Sequence, residues 1–143
     1  MKNLFILLLL NMCCNISVFA QGQKTTQELL MSTKWEPQDF YHEDNCGFVR
    51  YTEVKFITEM KFSGKYRFFS YDYYLSSFPD SVFDRNKIGK NCNGKYIIED
   101  GGDYVFISDI LELTSTKLVV RNLTPGFTTT GKVTTYLPTN MKF

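Results

Sequence analysis

Histidine is almost missing: one residue, His42, serves a chain of 143. Mechanisms that turn on a histidine base, or on a metal held by several imidazoles, have almost nothing to draw on. Charge of one sign is missing too. Sixteen basic and 15 acidic side chains leave a formal net charge of +1, too little to hold a polyanion or an anionic membrane surface. The chain has no G-x-S-x-G, P-loop or G-x-G-x-x-G motif, so the common nucleophile elbow and phosphate cradles are excluded. After residue 10 no long apolar run remains, and nothing approaches the roughly 20 residues that span a bilayer as a helix. Disorder is disfavoured as well, because mean hydropathy is −0.20 and only 22% of residues are charged. The length suits one domain.

What is present begins with an address. Lys2 precedes an unbroken apolar run over residues 4–10, and Val18-Phe19-Ala20 places small residues where a signal peptidase reads. Residues 1–20 are therefore expected to be a secretory signal and 21–143 the mature domain, exported to the periplasm or beyond the cell. Lipid attachment at Cys13 or Cys14 is the weaker option, because bulky Met12 stands before Cys13. Two of the four cysteines fall within the signal. The other two, Cys46 and Cys92, are expected to pair in an oxidising compartment, stabilising the fold by about 4 kcal/mol. A metal held by His42 and Cys46 is not favoured, since the spacing matches no metal motif. Asp100 and Asp103, which flank two glycines, are explained by a hairpin turn rather than calcium.

Residues 23–32 carry the one helical pattern. Thr25 or Thr26 can cap it, Glu28 can complete a capping box, and Leu29, Leu30 and Met31 supply a short apolar face. After Trp35 the period is two. Val54 and Phe56 alternate with Glu53 and Lys55, and Met60 and Phe62 alternate with Glu59 and Lys61. Further strands are expected over 65–74, 95–99, 104–114 (with a bend at Asp109), 117–123 and 132–137. Phe68-Phe69 breaks the alternation, which implies a bulge or a strand apolar on both faces. Residues 75–92 read as a long loop held by Cys92. About eight strands at short spacing predict an all-β fold: an up-and-down antiparallel barrel with a short N-terminal helix.

Several pieces together resemble the lipocalin-like domains of secreted bacterial proteins. They are Leu29-Leu30 leading to Trp35, Met60-Lys61-Phe62 with Tyr66 and Phe68, Gly94-Lys95-Tyr96-Ile97-Ile98, and Leu111-Glu112-Leu113-Thr114 with Leu118, Val119 and Arg121. Thr33 stands where the lipocalin signature has glycine. The resemblance implies a calyx that holds a small apolar molecule, and an arginine, here Arg121, that covers Trp35 through a cation–π contact.

The candidate ligand-binding set is aromatic: Phe62, Tyr66, Phe68, Tyr71, Tyr73, Tyr96, Tyr104 and Phe106. Such rings can bury a ligand while phenol groups orient it, or they can simply fill the barrel. The function expected is non-covalent binding of a small hydrophobic or amphipathic molecule, without catalysis, cofactor, metal or nucleic acid. The alternative is a protein-interaction module with a filled barrel, which would use an exposed aromatic strand at 71–74 and the 75–92 loop with Phe78 and Phe83.

Overall fold

The computed structural model describes residues 22–40 and 45–142. The expected signal with Cys13 and Cys14, and His42, lie outside the described residues. Helix α1 (Thr26–Met31) has both halves of its capping box: Thr25 Oγ1 accepts from Glu28 N at 3.2 Å, and Thr25 N donates to Glu28 Oε2 at 2.7 Å. One and a half turns cannot stand alone. Leu30 provides the anchor, fully buried beside Trp35.

Eight strands follow: β1 (Lys34–Pro37), β2 (Asn45–Tyr51), β3 (Lys55–Phe62), β4 (Lys65–Ser76), β5 (Tyr96–Asp100), β6 (Val105–Thr114), β7 (Lys117–Asn122) and β8 (Val133–Thr139). Each pairs antiparallel with the next, and β8 returns to β1, so the sheet is a closed up-and-down barrel. This is the architecture the period-two pattern predicts. Closure satisfies backbone groups that an open sheet would leave on its edges. A bulge shifts the β6–β7 register between Ile110 and Glu112, one residue past the expected bend.

The meander sorts the connections between two ends. Helix α1, the β2–β3 turn, the long β4–β5 connection and the β6–β7 turn share one end. The β3–β4, β5–β6 and β7–β8 connections share the other. Inside, Leu30, Trp35, Val49, Tyr51, Tyr73, Leu75, Ile97 and Leu118 form a plug at the helix end. Trp35 Nε1 donates to Leu30 O at 2.8 Å and ties the helix into that plug. A second cluster lies on the outer wall: Tyr74, Ile98 and Ile107 are covered by Phe83, Tyr96, Val105 and Leu123. Strand β5 is thus apolar on both faces where the long connection crosses it.

Three sequence expectations are corrected. First, Cys46 and Cys92 are free thiols. Cys46 is the second residue of β2, opposite Lys61 near the β3–β4 turn. Cys92 lies at the helix end, where its carbonyl accepts from Gln27 N at 3.0 Å. The length of β2 separates them by on the order of 15 Å, at about 3.3 Å per residue. A disulfide needs Cα atoms within about 7 Å. The long loop is instead held by Asp80, which accepts from Lys87 Nζ at 2.7 Å, Tyr74 Oη at 3.0 Å and Ser76 Oγ at 3.1 Å. The Lys87 bond draws the Asp80 carboxyl below its ordinary value.

Second, Arg121 does not cover Trp35. Leu118 and Val120 turn inward on β7, so Arg121 points out, where its Nη2 meets Asp109 Oδ2 at 2.6 Å. Third, strand 71–74 is not an exposed aromatic face. Tyr73 and Tyr74 are buried and Tyr71 is half-buried. Phe62, Tyr66, Phe68 and Phe69 are exposed on an arm made of the end of β3 and the start of β4, and Phe78 of the long connection and Tyr104 are exposed elsewhere. The β3–β4 register runs unbroken from Lys55↔Asp72 to Phe62↔Lys65. The Phe68-Phe69 pair therefore marks a ribbon exposed on both faces, not a bulge.

Candidate functional site

The barrel interior is not full. Beyond the plug, toward the end away from the helix, lies a cavity of about 310 Å³. Its lining follows from strand parity. Ile97 turns into the plug, so Glu99, two residues on, turns into the space above it. The same alternation sends Phe106 and Ser108 inward from β6, Val120 and Asn122 from β7, and Thr134 and Tyr136 from β8. Tyr51 and Phe56 supply the opposite aromatic wall, and Thr124, Thr129 and Lys132 of the β7–β8 loop supply the rim.

A second lobe of about 210 Å³ shares Phe56 and Tyr136 with the first. It is bounded by Pro37, Gly47, Phe48, Val49, Thr58 and Met60, and is almost wholly apolar. Gly47 borders this slot without a side chain, and a Cβ there would lie 2.9 Å from Met60 Cβ, too close for the β2–β3 pairing as it stands.

Glu99 dominates the electrostatics. It is 7% exposed, and no described residue makes a hydrogen bond or ion pair with it. Burial alone pushes its carboxyl up to about 8. Its register neighbours are Tyr73 on β4 and Phe106 on β6. The Tyr73 hydroxyl is committed elsewhere, donating to Thr52 O at 2.7 Å. Burial, with the Glu99 charge second, pushes the Tyr136 phenol up to about 12 and Tyr51 well above the ordinary phenol value.

Aromatic rings connect along the wall toward the mouth. Tyr51 meets Phe56 at 5.2 Å, Phe56 meets Tyr71 at 6.3 Å, and Tyr71 meets Phe106 at 5.9 Å. Phe127 of the β7–β8 loop continues the series, 5.6 Å from Phe106 and 5.3 Å from Tyr104. That loop is fixed by its threonines. Thr124 Oγ1 accepts from Ile107 N at 3.0 Å, and Thr130 Oγ1 donates to Phe127 O at 2.7 Å.

The aromatic set expected from the sequence is dispersed by this geometry. Phe106 lines the cavity, Tyr71 contacts two lining rings, and Tyr73 packs against Tyr51 beneath it. Tyr96 lies on the outer wall. Tyr104 is largely exposed beside Phe127, and Phe62, Tyr66 and Phe68 stand on the exposed arm. Sequence reasoning missed Tyr51, Phe56, Tyr136 and above all Glu99. Counting parity outward from Trp35 and Ile97 would have found them. Two other hollows, of about 440 Å³ along α1 and about 500 Å³ against residues 80–87, lie outside the barrel and have no buried ionisable side chain in their lining.

Comparison with known proteins finds no matching family model, no matching curated protein and no matching solved structure.

Proposed function

We propose that this chain is an exported lipocalin-like binding protein that holds a small amphipathic molecule non-covalently inside its barrel. One observation carries the proposal: the interior offers a lobe with a buried carboxyl and polar walls, beside an apolar slot whose lining shares Phe56 and Tyr136 with it. A filled barrel would need none of this space. An apolar tail in the slot would gain about 25 cal/mol for each Å² removed from water, and the polar lobe would fix the head group.

The test is native purification, solvent extraction and mass spectrometry, followed by titration of the stripped protein with an environment-sensitive amphipathic fluorophore. Wild-type protein is expected to bind one equivalent. Val120→Trp, which fills the cavity, is expected to abolish binding while leaving the β-sheet circular dichroism unchanged. Saturable binding that survives V120W would place the ligand outside the barrel and refute the proposal.

The interaction-module alternative keeps one expected residue, Phe78 of the 75–92 loop, which is 73% exposed, and gains others the sequence did not suggest. Phe62, Tyr66 and Phe68 are 51%, 55% and 65% exposed on the β3–β4 arm. Along residues 67–71, no described strand pairs with the β5 side of β4, a geometry open to strand addition. Phe68→Asp would disrupt such a partner and leave ligand binding in the barrel intact.

A further inference from the structure

We propose that the barrel selects a cationic amphiphile, a primary alkylamine with a short apolar chain, and that Glu99 is the counter-ion that binds its ammonium group. This inference rests on the interior cavity being a ligand site and adds the chemistry of the head group.

Three observations lead to it. Glu99 is buried at the heart of the cavity and is the sole acidic side chain lining it among the described residues. No arginine, lysine or hydrogen-bond donor of the described residues satisfies it, whereas Asp109, the other buried acid among the described residues, has Arg121. Aromatic rings surround it, with Tyr73 and Phe106 adjacent in register and Tyr51, Phe56 and Tyr136 in the same space. A carboxylate beside aromatic rings is a favourable site for an ammonium, which gains one charge-assisted hydrogen bond and cation–π attraction together.

An unpartnered buried carboxyl also weakens the empty fold. Such a residue is more readily explained by a ligand than by stability. The adjoining apolar slot over Gly47 takes the chain of the same molecule.

Other ionisable groups facing this space do not compete for the role. Tyr51, Tyr73 and Tyr136 are phenols held neutral well above physiological pH. Lys132 is the sole cation on the lining among the described residues. It lies on the exposed rim, where water screens it. It slows entry of a cation more than it opposes binding at the buried carboxyl. In the empty protein Glu99 is mostly protonated at pH 7. An arriving ammonium therefore displaces a proton to solvent: the carboxyl loses H⁺, the amine keeps its own, and the site becomes a neutral ion pair.

The experiment is calorimetric titration of the full stripped protein with n-octylamine, 1-octanol and n-octanoate at pH 6, 7 and 9, in two buffers of different ionisation heat. Octylamine stays protonated across this range. It is expected to bind at least tenfold tighter than octanol at pH 9, to weaken toward pH 6, and to release close to one proton at pH 7. Glu99→Gln is expected to remove the preference for the amine and to keep octanol binding. Octanol binding as tight as octylamine, or octanoate binding tightest, overturns the cation assignment and leaves the calyx standing. If none of the three enters the wild-type barrel, the ligand-binding reading itself falls, and the cation assignment with it.

Discussion

Replacing Glu99 with glutamine isolates what this one buried carboxyl does to folding. Glutamine matches the protonated acid in shape and cannot ionise. In the folded chain the carboxyl releases its proton at about 8, whereas 4.5 is its ordinary value in an unfolded chain. Below pH 4.5 the group is neutral in both states and its contribution to stability is flat. Between 4.5 and 8 the unfolded chain ionises and the folded chain does not, so wild-type stability falls as pH rises. Each pH unit across that window removes about 1.4 kcal/mol, roughly 4–5 kcal/mol in all. Above 8 both states are charged and the loss levels off. The glutamine variant avoids this loss.

E99Q is therefore expected to match wild type at pH 4 and to melt on the order of 10 °C higher at pH 8 in ligand-free buffer. Asp80, whose carboxyl is drawn down by Lys87, acts in the opposite sense, losing stability as pH falls. It is common to both proteins and cancels in the difference. Thermal melts followed by far-ultraviolet circular dichroism, in one buffer series from pH 4 to 9, supply the measurement. A melting difference that stays constant with pH, or a wild type more stable than E99Q at pH 8, would refute the assignment of Glu99 as an unpartnered buried acid.

Other perturbations test separate parts of the fold. Trp35→Phe leaves Leu30 O without its 2.8 Å donor and opens space in the plug, so a loss of about 2–3 kcal/mol is expected in urea unfolding. Arg121→Ala leaves Asp109, with 3% of its side chain exposed, facing only Lys95 Nζ at 3.6 Å. Because Arg121 itself is partly solvated, the expected cost is about 1–3 kcal/mol, largely recovered in Arg121→Lys. Gly94→Ala drives a Cβ to 2.7 Å from Ser76 N and 2.8 Å from Ser76 O. Since β4 backbone cannot yield as a side chain does, a loss of at least about 2 kcal/mol is expected. Alkylation and peptide mapping of unreduced, denatured protein should label both Cys46 and Cys92, and a linked peptide pair would contradict their placement at opposite ends of the barrel.

The barrel was legible because its signals are local. Period-two alternation, the Asp100-to-Asp103 turn and the Thr25–Glu28 box each involve neighbours in the chain. The errors came from features that depend on three-dimensional placement. Pairing Cys46 with Cys92 rested on compartment and count, and neither tells which end of the barrel a residue occupies. Only after the meander is laid out does β2 set the two thiols at opposite ends. The Trp35–Arg121 contact failed for a related reason: Arg121 is one residue out of phase with Leu118 and Val120, which point inward.

The site was harder to read because β5 reverses the usual meaning of alternation. In Tyr96-Ile97-Ile98-Glu99-Asp100 the acid would ordinarily be assigned to solvent and both isoleucines to the core. Here Ile98 faces outward and is still fully buried, because Phe83 and the long connection cover that wall. Glu99 is then forced inward by the pleat, two residues beyond Ile97. Aromatic content misled in the same way, since half of the rings of the aromatic run 65–74, Tyr66, Phe68 and Phe69, lie on the exposed arm. The rings that line the cavity are scattered singly over β2, β3, β6 and β8. A closed barrel assembles its interior from every second residue of distant strands, so the lining appears in no contiguous motif. Parity referred to one certain inward residue is the physical rule that recovers it, and Trp35, bonded to the helix that plugs the barrel, is that residue.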